Sequence, residues 1–313
     1  MIEKERRVFM EIVTILLKQV LIMYILMFLG YMAYKRGFLS DQGTKDIGKI
    51  LLNIAIPIVV ISNFCVERTA EKTGQLISSL LISLVCMAVS IFVSFLIFHK
   101  KNRVGEFAAA FSNAGFIGIP LVQATFGDHA VFYISMMIVL INLLQWSYGV
   151  YTITDDRSFI DLKKVARNPV VISVGIGLLL YALNVRVPSV VSSLFSIIGG
   201  LNTPLAMMVS GVYLAQSDLM KMIRKKDIYF ICLIRLILVP LVVMCVFRFL
   251  PFGNSEIKMA ILLAGACPVG SNVAIFAQQF DKDYKKGVEY VCISTLLSII
   301  TLPLVMLLAS IIL

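Results

Sequence analysis

The stretch AAFSNAGFIGIPLVQATFGD (109–128) decides how this chain is read. It is apolar along most of its length, yet Ser112, Asn113, Gly115, Gly118 and Pro120 fall within nine residues. A proline removes a backbone donor and clashes with the preceding turn, and glycine weakens a helix interior. A second stretch, ILLAGACPVGSNVAIFAQQFDK (261–282), places Gly265, Cys267, Pro268, Gly270, Ser271 and Asn272 within eight residues. Each stretch ends in Phe followed closely by Asp. Both read as membrane helices interrupted at their centres. In lipid, freed backbone groups need partners, so such breaks survive only where they face protein or a wet cavity.

The surrounding sequence supports a membrane setting. Hydrophobic residues make up 59% and charged residues 15% of the chain, against roughly a quarter charged in a soluble domain. Apolar runs of about twenty residues recur, the length that crosses roughly 30 Å of hydrocarbon as a helix. The first run, Ile12 to Tyr34, is too long for a signal-peptide core and is read as a retained span. Ten spans are expected, at 13–35, 46–65, 75–98, 106–124, 129–151, 169–184, 190–215, 228–249, 257–280 and 288–312. The longest connector, TITDDRSFIDLKKVARN (152–168), separates five spans (13–151) from five more (169–313). The fold class is thus all-α and integral to the membrane.

Lys and Arg set the orientation. Loops after the odd-numbered spans carry eighteen of them, and the opposite face, N-terminus included, carries nine. By the positive-inside rule the odd loops are cytoplasmic and both termini lie outside the cell membrane, although Lys4, Arg6 and Arg7 pull locally the other way. The same bias accounts for the net charge of +10 without nucleic-acid binding. Five spans per half give the halves opposite topologies. Pro57 and Asn53 in span 2 have counterparts in Pro204 and Asn202 of span 7, and spans 4 and 9 match as quoted above. Inverted repeats with interrupted helices at corresponding places point to a transporter's midplane site. Close helix packing by small residues is the plainer alternative; it explains the glycines, but not two amides and two prolines together.

If spans 4 and 9 unwind and cross, two half-helix N-termini face one point, with unpaired N–H groups and positive dipole ends suited to an anion. Asn113 and Asn272 would add neutral amides for a carboxylate, with Ser112, Gly115, Pro120, Pro268, Gly270 and Ser271 around them.

The segments SNAGFIGIPLVQATFG (112–127), RNPVVISVGIGLLLYALNVRVPSVV (167–191), PLAMMVSGVYLA (204–215), RLILVP (235–240) and ACPVGSNVAIFAQQFD (266–281) together resemble the auxin efflux carrier family, in order and along essentially the whole chain. That family includes plant auxin exporters and bacterial permeases for malate, malonate and related acids. The resemblance implies ten helices in two inverted repeats, with broken helices 4 and 9 holding a substrate carboxylate at their crossing. It also implies an elevator-like division into scaffold helices 1, 2, 6 and 7 and transport helices 3–5 and 8–10, and a homodimer. Asn113 matches the family's carboxylate-binding asparagine and Pro268 its crossover proline. The chain departs from the plant carriers at Ser112, where they have proline, and in lacking their long cytoplasmic loop. Both departures favour a bacterial-type permease.

Arg235 lies eight residues into span 8 from Asp227, about 12 Å deep on helix rise. It could draw an anion into the cavity, bond the carbonyls of a broken helix, or snorkel to headgroups. No Asp or Glu lies deep in a span, which favours an anionic substrate and counts against a sodium symporter of the related bile-acid type. Na⁺ or H⁺ coupling stays open, with Gln123 or Gln278 as Na⁺ donors beside backbone carbonyls. Trp146, Tyr148 and Tyr151 are expected in an interfacial aromatic belt, and Asn168-Pro169 as a helix cap. The six cysteines lack metal or disulfide spacing, no motif calls for a cofactor, and enzyme signatures are missing. A channel or a substrate-sensing membrane protein is the remaining alternative class.

Overall fold

A computed structural model describes residues 2–99, 101–156, 158, 163 and 166–313, with backbone alone for 2–13, 16 and 219. Lys100, Arg157, Lys164 and much of the 152–168 connector, all used in the orientation argument, lie outside the described residues.

The described chain is helical throughout. It runs through α1 (Ile2–Lys35), α2 (Asp41–Phe64), α3 (Ala70–Phe98), α4 (Arg103–Ala110), α5 (Ala114–Phe126), α6 (His129–Thr154) and α7 (Pro169–Ala182). It continues through α8 (Ser189–Gln216), which carries a turn at Gly200–Leu201, then α9 (Leu219–Ile223) and α10 (Lys226–Arg248). It ends with α11 (Ser255–Ala266), α12 (Asn272–Gln279) and α13 (Tyr284–Ile312). Seven of these are long and apolar enough to cross a membrane: α2, α3, α6, α8, α10, α13 and the Leu17–Lys35 part of α1. The other three expected spans are shorter or divided. Span 4 is split into α4 and α5 and span 9 into α11 and α12, while α7 has 14 residues, only about 21 Å of helix.

Local chemistry explains the helix starts. Ser40, Thr69, Asn102, Asn168, Asp218, Asn254 and Asp283 each cap a following helix by accepting a backbone N–H, which satisfies one of the orphan donors there. Asn168 does so with Pro169 at the first helical position, as the sequence suggested.

Three of the prolines leave a common mark. Ahead of Pro57, Pro120 and Pro240 the helix widens into a π turn, over Leu51–Ala55, Ala114–Gly118 and Ile234–Leu238. In each case the residue before the proline donates to the carbonyl five residues back. The wide turn accommodates the missing donor without ending the helix.

Packing follows the small residues. α1 lies along the second half of α8, and α7 along the end of α2. At the α1–α8 contact, a Cβ on Gly30 would collide with the Met208 carbonyl oxygen, and one on Gly211 with that of Met27; the two backbones touch there. α3 packs against α4, α6, α10 and α11, and α13 against α10, α11 and α12. Large apolar side chains such as Leu21, Ile25 and Phe28 of α1 and Phe92 and Leu96 of α3 are exposed on the outside of the bundle, the surface a bilayer covers.

Candidate functional site

The two breaks in the chain meet. Between α4 and α5, and between α11 and α12, the backbone is extended, and Ser112 and Val269 pair as an isolated antiparallel bridge. Asn113 N donates to Pro268 O at 2.9 Å, and Gly270 N donates to Phe111 O at 3.1 Å. The broken spans thus satisfy each other's freed peptide groups at the centre of the protein. A Cβ on Gly270 would sit 3.1 Å from Ser112 O and 3.4 Å from Phe111 O, so glycine allows the strands this close approach. Val269 N finds its acceptor in Ser294 Oγ at 3.1 Å.

Four helix ends therefore face the crossing. α4 and α11 arrive with their C-terminal carbonyls, and α5 and α12 leave with their N-termini. Asn113 and Ser271 hold the N-cap positions of α5 and α12, yet neither side chain caps its helix. Instead Asn113 Nδ2 donates to Ser271 Oγ at 3.3 Å, in a buried contact between the two breaks. The opening amides of a half-helix have no partner inside it; in α12 Val273 N turns back to Gly270 O at 3.1 Å, and neither N-cap side chain takes any of the others.

Arg235 disposes of the opposite ends. It is 1% exposed, in the π turn of α10. Its Nε donates to Cys267 O at 3.2 Å and its Nη1 to Ala109 O at 3.1 Å, and Nη2 also donates to Gly265 O. One guanidinium thus covers the last carbonyls of both α4 and α11. Of the three roles open to it, the structure shows the bond to broken-helix carbonyls. Snorkelling is excluded by its burial.

A cavity of about 50 Å³ lies beside the crossing, lined by Ser112, Asn113, Gly115, Gly270, Ser271 and Asn272 together with Asn142, Gln145, Leu52, Phe116 and others. Six of the sequence-derived residues are thereby brought together. Three are not: Pro120 is buried in α5, Pro268 supplies the carbonyl to Asn113, and Arg235 lies on the helix ends. Among the described residues lining the cavity none is charged.

Two contributors went unread in the sequence. Gln145 Oε1 accepts from Asn272 Nδ2 at 2.7 Å, and Asn142 Oδ1 accepts from Asn168 Nδ2 at 3.4 Å. Both sit on α6, three residues apart and so on one helix face; two amides at that spacing within an apolar span were the available signal.

The cavity shares Leu52, Phe116, Ser271 and Asn272 with a larger vestibule of about 420 Å³, which carries Lys45, Lys49, Gln216 and Gln278. This vestibule lies at the start of α2 and the end of α8. A vestibule of about 830 Å³ at the other ends of these helices includes Asn63, Lys72, Gln123 and Thr203 and shares no lining residue with the crossing cavity. Gln123 and Gln278, considered together as Na⁺ donors, line different vestibules. Two of the three aromatic residues expected in a belt at the end of span 5 make contacts inside the protein. Trp146 packs on Phe276 with ring centroids 4.8 Å apart, and Tyr148 donates to the buried Glu106 at 2.5 Å. These rings tie α6 to α12 and α4 within the bundle.

An all-helical chain with at least seven membrane-crossing helices and a polar crossing at its centre is a multi-pass membrane transport protein in build. Its sequence matches the family described as Membrane transport protein over residues 15–164 and 152–306, and the chain belongs to that family, the auxin efflux carrier-like one. It is 25% identical over 297 residues to the uncharacterized transporter YfdV of Escherichia coli (strain K12), covering 90% of this chain and 93% of that protein. An uncharacterized transporter of Methanothermobacter thermautotrophicus is 24% identical over 302 residues, covering 91% of this chain and 95% of its own.

Proposed function

We propose that this protein is a secondary carrier of small organic anions that holds a substrate carboxylate at the crossing of its two broken spans. The observation that carries this reading is the pair of uncapped half-helix N-termini, α5 and α12, converging with Asn113, Ser271 and Asn272 on a neutral polar cavity. Partial positive charge, helix N-terminal amides and side-chain donors recognise a carboxylate without a cation of their own. The vestibule that reaches the cavity is lined by Lys45 and Lys49 against the one carboxylate of Asp41, with Lys49 also paired to Asp46 at 2.9 Å, so Lys45 is the lining cation that would draw anions to its mouth.

In this reading α4–α5 and α11–α12 are the fourth and ninth of ten spans, arranged as two inverted five-helix repeats. Helices 1, 2, 6 and 7 serve as scaffold. Helices 3–5 and 8–10 form the transport body, which moves elevator-fashion between the two vestibules. The packing of α1 on α8 and of α7 on α2 supports that division. The protein sits in the cell membrane with both termini outside, so the open vestibule faces the cytoplasm, and it acts as a homodimer.

The test is uptake of labelled malate, malonate, lactate and indole-acetate into proteoliposomes with imposed Na⁺, H⁺ or no gradient. Saturable uptake of at least one acid is expected, and its gradient dependence identifies the coupling ion. Absence of uptake of any acid by a folded protein would overturn the reading in favour of a sensor or an unrelated cargo.

A further inference from the structure

Ser112 is 4% exposed and lines the crossing cavity, and its Oγ has no hydrogen-bond partner among the described residues. Buried serines elsewhere avoid this state by donating to a carbonyl one turn back, as Ser90 does to Cys86 O at 2.8 Å and Ser135 to Val131 O at 2.8 Å. Ser112 lacks that recourse because its backbone is extended in the bridge to Val269. Leaving a buried hydroxyl unsatisfied is unfavourable, and of the other orphan hydroxyls, Ser83 and Thr301, neither lines this cavity.

The neighbouring amides are committed differently. Asn113 Nδ2 gives one proton to Ser271 and Asn272 Nδ2 one to Gln145, and each keeps its second for a carboxylate. The helix N-termini offer donors only. Ser112 Oγ, without any partner among the described residues, can both accept and donate, directly beside the residue assigned to the carboxylate. A hydroxyl of this kind pairs with a hydroxyl on the carbon adjacent to the substrate carboxylate. The cavity of about 50 Å³ admits such a compact head, and the rest of the molecule extends into the adjoining vestibule.

We propose that Ser112 is a specificity residue whose hydroxyl binds the 2-hydroxyl of a small hydroxy acid, selecting it over the same acid without that group. The inference rests on the carboxylate site proposed above. A site built to hydrogen-bond a substrate hydroxyl disfavours the analogue lacking it, because the site's own polar group is then left unpaired.

The experiment compares two matched pairs, lactate with propionate and malate with succinate, in proteoliposomes. The wild-type protein is expected to take the hydroxy member of a transported pair with about tenfold higher kcat/KM. Ser112→Ala is expected to bring that ratio close to one, and Ser112→Thr, which keeps the hydroxyl, to preserve it. Equal handling of a pair by the wild type overturns the inference, even should Ser112→Ala fail to fold; so does an unchanged ratio in Ser112→Ala. Transport confined to acids outside both pairs removes Ser112's role while leaving the carrier reading intact. Transport of no organic anion removes both.

Discussion

Asn113→Ala is expected to reduce carboxylate uptake to background, a loss of roughly a hundredfold, in a protein that still folds. The two halves of that expectation have separate causes. The fold at this point is held by main chain: Asn113 N bonds Pro268 O, and Asn113 O accepts from Ile117 N and Gly118 N. Alanine keeps all three contacts. The side chain contributes one long hydrogen bond, to Ser271 Oγ at 3.3 Å, whose loss costs about 1 kcal/mol. Its larger proposed role is as a neutral donor to a charged ligand, and hydrogen bonds to charged groups contribute roughly 1.5–3 kcal/mol. Uptake and melting temperature, measured on the same preparation, separate the two effects. Wild-type flux in the variant would remove Asn113 from the site.

Arg235→Leu should act in the opposite manner, through stability first. The guanidinium bonds the Cys267, Ala109 and Gly265 carbonyls, at the C-terminal ends of two half-helices that stop inside the protein. Leucine of similar bulk leaves three buried acceptors without donors and exposes two helix-dipole ends to each other. At about 1–3 kcal/mol for each orphaned group, partly relieved by relaxation, the loss is roughly 3–5 kcal/mol. Arg235→Lys is expected to recover only part of it, because an ammonium is a point charge without the planar fork that spans two helices. Thermal unfolding of the purified variants in detergent is the measurement. A leucine variant that melts like the wild type but no longer transports would instead place Arg235 in contact with substrate.

Much of this was readable from the chain. Twenty-residue apolar runs mark the membrane helices because lipid tolerates no unpaired backbone, and seven of the ten expected spans are helices long and apolar enough to cross, while the sixth is a 14-residue helix and the fourth and ninth are divided. The crossing was readable from the clustered Ser, Asn, Gly and Pro residues of both stretches, although the break in span 4 falls at 111–113, ahead of Pro120, which stays inside α5 behind a π turn. The bond network was not. Arg235 left three roles open since depth alone does not say which carbonyls lie within its reach. Gln145 and Asn142 escaped notice because they sit in an otherwise ordinary apolar helix, and only the fold brings α6 beside Asn272 and Asn168. Tyr148 was assigned to the lipid interface on its position in the span; its hydroxyl is taken by Glu106, 42 residues away in sequence.

The neutrality of the crossing cavity has an electrical consequence. On the proposed elevator reading, Arg235 belongs to the body that carries the site, so its charge would cross the field with and without substrate and cancel over a full cycle. With no charged residue among those described in the cavity wall, a loaded step without a coupled cation differs from an empty one by the charge of the acid alone. On the proposed reading the carrier is then electrogenic, and a diffusion potential imposed on proteoliposomes should change the flux, reversing its bias when the potential is reversed. An interior-negative cell membrane acts on each anionic charge with about 2.3 kcal/mol per 100 mV. Left to itself, such a carrier runs as an exporter, and accumulation of the acid inside the cell requires a cation that travels with it.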